Sequence, residues 1–81
     1  MGTVETVEDE VYEFIRVELA NVDAFDRAAD LSEQRIVDSL TITRLLGFLE
    51  DHFEIEIDLE DVTAENFSTV GAIAALVRRL S

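Results

Sequence analysis

The chain has 81 residues, with 19 Asp and Glu against six Arg and no Lys, for a formal charge of −13. No Cys is present, which excludes disulfides, thiolate metal sites and cysteine nucleophiles, and a single His leaves no catalytic triad and no multi-His metal site. So strong a negative charge repels phosphate backbones and anionic lipid, while 48% hydrophobic residues are too many for an acidic disordered tail. The expectation is one small domain, soluble and cytoplasmic, without secretory leader or membrane span, that meets basic surfaces.

Proline is absent and Gly stands only at 2, 47 and 71, so little interrupts helices. The first helical stripe is Val4, Val7, Val11, Phe14, Ile15 and Leu19. Glu5, Glu8, Asp9 and Glu10 crowd its first turns, where negative charge meets the positive end of the helix dipole. It predicts a helix over about 4 to 20, with residues 1–3 frayed. Residues 21–37 follow as a long connection whose Phe25, Leu31, Ile36 and Val37 are expected to dock on the core.

The second stripe, Leu40, Ile42, Leu45, Leu46, Leu49 and Phe53, is opened by Asp38 as N-cap. Ile55 and Ile57 flank Glu56 with period two, so this helix is expected to stop near Phe53. Residues 59–65 can make one or two turns of short helix. The third stripe, Val70, Ile73, Ala74, Val77 and Leu80, is opened by Ser68 or Thr69 and closed by Arg78 and Arg79. The fold expected is all-α: three main helices plus a short one before the last, in a single domain over 1–81. Its predicted core is Val7, Val11, Phe14, Ile15, Leu19, Phe25, Leu31, Ile42, Leu45, Leu46, Leu49, Phe53, Ile55, Ile57, Val62, Phe67, Val70, Ile73, Val77 and Leu80.

On a helical wheel of about 100° per residue, counted from Ser39, Ile42, Leu46, Leu49 and Phe53 fall on one face and Leu40, Arg44, Gly47 and Asp51 on the other. An exposed Leu beside a Gly, rimmed by charge, reads as a small apolar dock. Ser39 lies in the first turn, near unpaired N–H groups and the positive dipole end, a favourable place for a phosphate ester. Asp38-Ser39 alone is more often no more than an ordinary helix cap. The acidic run from Glu50 to Asp61 has no Gly and alternates with Ile55, Ile57 and Leu59, which does not match a calcium loop, and no metal site is expected.

Asp38-Ser39-Leu40 at a helix start, the pattern Ile42, Leu45, Leu46, Leu49, and the run Glu50-Asp51-His52-Phe53-Glu54-Ile55-Glu56-Ile57 together resemble the acyl and peptidyl carrier proteins. The resemblance covers roughly residues 7–80. Glu65-Asn66-Phe67, with Val70 and Ile73 after it, is most similar to freestanding carriers of polyketide and nonribosomal peptide pathways. The resemblance implies that Ser39 takes a 4′-phosphopantetheine arm from coenzyme A through a Mg-dependent phosphopantetheinyl transferase, with Asp38 and Leu40 framing it. The arm's thiol would carry an acyl or aminoacyl group as a thioester, and the chain would be no enzyme itself.

Leu40, Thr43, Arg44, Gly47, Phe48 and Asp51 are the expected docking surface. Partners implied are the transferase, an acyl- or aminoacyl-loading enzyme and a downstream synthase or transferase with a basic docking surface. Nucleic acid and membrane are not expected partners, and the chain is expected to be a monomer. The chain departs from the family pattern at three places: Arg35 and Ile36 stand where Gly is usual before the serine, Thr41 and Arg44 replace acidic positions, and Glu54 stands where Gly follows Phe53. The rival reading is a small acidic interaction module without a prosthetic group.

Overall fold

The computed structural model describes residues 6–81. Helix α1 spans Val7–Phe14 and runs on, without a break, into a π-helical segment Ile15–Ala20; α2 spans Thr41–Phe53, a 3₁₀ turn spans Leu59–Asp61, and α3 spans Val70–Leu80. The expected all-α arrangement is thus present. The first helix begins later than its apolar stripe implies: the Thr6 hydroxyl accepts the Asp9 N–H at 3.1 Å and caps the first turn. Val4, Glu5 and the predicted frayed residues 1–3 lie outside the described residues. Nothing in the sequence pattern marks the change of winding at Ile15.

The core is closed by Val11 and Ile15, Leu45 and Leu49 of α2, and Val70, Ile73, Leu76 and Val77 of α3, all fully buried. α1 lies against α3. On α2 the buried direction is turned by about 50° from the expected one, because Leu45 and Leu49 are fully buried while Ile42, Leu46 and Phe53 are half-buried. Tyr12, Ala74 and Leu76 are buried although absent from the predicted core.

The connection docks as expected. Leu31 is fully buried and its N–H donates to the Ser68 carbonyl at 2.7 Å. Its own carbonyl accepts the N–H groups of Ile36 and Val37. Truncation of Leu31 to Ala is expected to cost about 2–5 kcal/mol through the cavity it leaves. Phe25 stacks on Tyr12 with centroids 4.6 Å apart and donates its N–H to the Tyr12 hydroxyl at 3.1 Å. The Arg27 guanidinium sits 4.1 Å from the Tyr12 ring and pairs with Asp9 at 2.6 Å. These contacts fix the approach of the chain to α2. Among the described residues no helix is long and apolar enough to cross a membrane.

Candidate functional site

The start of α2 is held by an exchange of hydrogen bonds around one exposed turn. Asp38 Oδ1 accepts the N–H groups of Leu40 and Thr41, each at 2.9 Å. In return the Asp38 N–H donates to Thr41 Oγ1 at 2.8 Å, and the Thr41 hydroxyl donates to the Ile36 carbonyl at 2.9 Å. The Ile42 N–H donates to the Asp38 carbonyl at 2.9 Å, the first helical bond. Asp38 is therefore the functional cap the sequence indicated, three residues ahead of Thr41, where α2 begins. These N–H groups, Thr41's first and Leu40's next, hold the Asp38 carboxyl below its ordinary value.

This arrangement corrects one expectation. Two of the N–H groups that a phosphate ester near Ser39 would have used are already taken by Asp38. What the turn offers is a fixed, projecting hydroxyl. Ser39 is exposed and makes no hydrogen bond among the described residues, while Leu40 beside it is 81% exposed.

A cavity of about 260 Å³ opens beside Ser39. Val37, Ile42, Val62 and Phe67 give it an apolar lining, with Ser32, Asp38 and Thr63 also on its wall. The residues after the 3₁₀ turn thus meet the start of α2 across this opening. A larger space of about 600 Å³ lies under the connection near Leu19 and Phe25, where Ala20, Ala24 and Ala29 leave room.

Leu40, just before α2, and Arg44, Gly47 and Asp51 along it are exposed, as the wheel predicts, and so is Thr43. A Cβ added at Gly47 meets nothing within 4 Å, so the fold itself does not demand glycine there. Arg44 pairs with Glu18 at 3.5 Å across to the first helix. Phe48 does not belong with this face. Its ring is half-buried, stacked 4.0 Å from Phe14 and 4.9 Å from His52, because the first helix runs along that flank of α2. His52 bridges the two helices through Glu10 at 2.6 Å.

Thr41 is the site residue that sequence reasoning undervalued. It read only as a departure from an acidic position, although Asp-x-x-Thr is the spacing at which a cap and the residue three positions on satisfy each other. Arg35 is the other: it holds φ +60° four residues before Ser39, where the sequence gives no glycine.

Residues 9–77 match the family model described as "Phosphopantetheine attachment site". Over 58 residues the chain is 38% identical to the "Probable acyl carrier protein PigG" of Serratia sp. (strain ATCC 39006), spanning 72% of this chain and 67% of that protein. A chain in a structure described as "Crystal structure of FAD-dependent dehydrogenase" superposes with a TM-score of 0.78 at 30% identity, over 84% of this chain and 99% of that one. A capped, projecting serine at the head of the second helix of an all-α bundle agrees with these matches, and the chain belongs to the phosphopantetheine-bearing acyl and peptidyl carrier proteins.

Proposed function

We propose that Ser39 is the attachment point of 4′-phosphopantetheine and that this chain presents a thioester-bound acyl or aminoacyl group to the enzymes of a secondary-metabolic pathway. The observation that carries the reading is the exposed Ser39 hydroxyl, unengaged and fixed on a turn locked by Asp38 and Thr41. The surroundings fit the group: the hydroxyl projects clear of the backbone, and the neighbouring cavity has the apolar lining that would shelter the first atoms of an arm. When bound, the group supplies the thiol that a chain without Cys cannot.

The chain's own residues have defined tasks in this reading. Asp38 keeps the turn from fraying, so that Ser39 Oγ meets a transferase in one orientation. Leu40 and the strip Thr43, Arg44, Gly47 and Asp51 give a partner an apolar contact flanked by charge. Among the described residues Asp38 is the only ionisable side chain on the wall of the cavity beside Ser39, and in this reading the partner enzymes supply the chemistry.

The crystal structure described as that of an FAD-dependent dehydrogenase contains a matched chain shorter than this one. A flavin dehydrogenase that oxidises the carried group is therefore the downstream partner to try first, after a loading enzyme. The charge of −13 favours one other reading, an acidic interaction module that binds a basic partner with no prosthetic group. Intact mass separates the two. Incubation with coenzyme A and a broad-specificity phosphopantetheinyl transferase is expected to add about 340 Da, and Ser39→Ala to abolish the addition. A mass that stays unchanged, or an addition that survives the substitution, overturns the carrier reading.

A further inference from the structure

Leu40 and Leu59 are by far the most exposed large apolar side chains among the described residues, at 81% and 89%, against 46% for Val17 and 41% for Val22. Neither lines the cavity beside Ser39, but each is close in the chain to a residue that does. Leu40 adjoins Ser39, which lines it; Leu59 precedes Val62, which lines it from the other side. The Val62 N–H donates to the Leu59 carbonyl at 3.1 Å, a turn closure that keeps their Cα atoms within about 7 Å.

Leu59 is also held in place. The Asp61 N–H donates to the Asp58 carbonyl at 2.9 Å, the Asp58 N–H returns to Asp61 Oδ2 at 3.3 Å, and the Asn66 side chain donates to the Asp61 carbonyl at 2.9 Å. The turn is thus fixed on both sides while its first side chain packs on nothing. Asp58, Glu60 and Asp61 surround it, and no Lys or Arg occurs between Arg44 and Arg78.

We propose that Leu40 and Leu59 form a two-point apolar grip across the mouth of this cavity for the transferase that loads Ser39, whose contact surface carries an apolar socket with a Lys- or Arg-bearing rim to receive Leu59. This rests on the assignment of Ser39 above. The occupant follows from geometry: the loading enzyme must bring the Ser39 hydroxyl itself into its active site and so covers both edges of the cavity. An enzyme that works at the far end of an arm can stand off from both. The acidic surround of Leu59 sets the sign of the rim.

Loading kinetics of the full chain, with coenzyme A and a purified phosphopantetheinyl transferase, test the grip. L59S is expected to raise KM about tenfold with kcat unchanged, as for a central apolar contact. The thermal midpoint is expected to stay put, because so exposed a side chain has no packing to lose. Leu59→Met, which keeps the apolar bulk, is expected to restore KM. An unchanged KM in L59S, or a Met variant as poor as the Ser variant, overturns the grip while leaving the assignment of Ser39 standing. Failure of the unsubstituted chain to load, or loading that survives Ser39→Ala, overturns both.

Discussion

Asp38 and Thr41 satisfy each other across the turn that presents Ser39: the Thr41 N–H reaches the Asp38 carboxylate at 2.9 Å, and the Asp38 N–H reaches the Thr41 hydroxyl at 2.8 Å. The Asp38 carboxyl consequently ionises below its ordinary range, held there by the N–H groups of Thr41 and then Leu40. A carboxyl lowered on folding contributes stability above its unfolded value, near pH 4, and loses it as pH falls through the folded value. Asp38→Ala is expected to lower the thermal midpoint at pH 7. Asp38→Asn is expected to retain most of the cap through its amide oxygen. The difference between the original chain and Asp38→Asn should then shrink as pH falls below the unfolded carboxylate value, about 4. A difference that is constant from pH 7 downward would show that the charge of Asp38 contributes nothing.

The same bookkeeping of protons sets a wider pH response. Asp9, hydrogen-bonded by Arg27, and Glu13, hydrogen-bonded by Arg16, also ionise below their ordinary values. Their stabilisation is present above the unfolded carboxylate values and is lost in acid. Among the described residues most other acids have no basic partner, and the net charge of −13 shrinks as pH drops toward the isoelectric point near 4.1, which relieves their mutual repulsion. The thermal midpoint is expected to rise from pH 7 toward pH 5 and then fall steeply below about 4. Added salt should raise it at pH 7, since the screening length shrinks to about 10 Å at 0.1 M. Melting curves over this range decide the point; a midpoint that falls monotonically from pH 7, with no response to salt, would show the acids already well separated.

The helices were legible wherever one apolar stripe had a clear cap. α3 is capped by Thr69, one of the two openers expected, whose hydroxyl accepts the Ala72 N–H at 3.1 Å, and it ends with Arg78 and Arg79 in its last turn. Asp38 and Leu40 could be placed because a cap and an exposed apolar residue are both local signals. Leu76 and Tyr12 were missed for a different reason. Leu76 is buried because the connection and α1 enclose α3 more widely than one stripe, and Tyr12 because Phe25 and Arg27 return to cover its ring. Such closure is a long-range event that periodicity does not carry. Phe48 shows the same limit: its wheel position is intermediate, and only the path of the first helix decides that Phe14 covers it.

Arg44 gives a test of the docking strip. Its guanidinium lies 3.5 Å from Glu18, with both side chains more than half exposed. A surface pair of this kind contributes about 0–1 kcal/mol, so Arg44→Glu is expected to leave the bundle folded, with a small fall in midpoint from the new repulsion of Glu18. Its larger effect should fall on partners. KM values for loading enzymes are expected to change several-fold with kcat preserved, falling for partners with basic contact surfaces and rising for those that present acid to Arg44. KM values unchanged across a panel of such enzymes would place Arg44 outside the contact.

Glu54 ends α2 in the left-handed conformation, at φ 55° and ψ 52°, where the family pattern has glycine. Its N–H donates to the Glu50 carbonyl, and so does the N–H of Ile55 at 3.3 Å, so the stop is a closed left-handed cap rather than a frayed turn. A side chain with a Cβ in that conformation costs about 1–2 kcal/mol, whereas Gly loses about 0.4–1 kcal/mol through the freedom it gives the unfolded chain. Glu54→Gly is therefore expected to raise the thermal midpoint slightly. The substitution also removes a negative charge from a crowded stretch, which would stabilise by itself, and Glu54→Gln isolates that contribution. Arg35, at φ 60°, supplies an independent control. Arg35→Gly relieves the same backbone conformation but shifts the net charge in the opposite direction. If both glycine variants raise the midpoint and Glu54→Gln does not, strain is the cause, because no single electrostatic change accounts for both. If Gln stabilises as much as Gly at position 54 and Arg35→Gly destabilises, the gain is electrostatic and neither turn is strained.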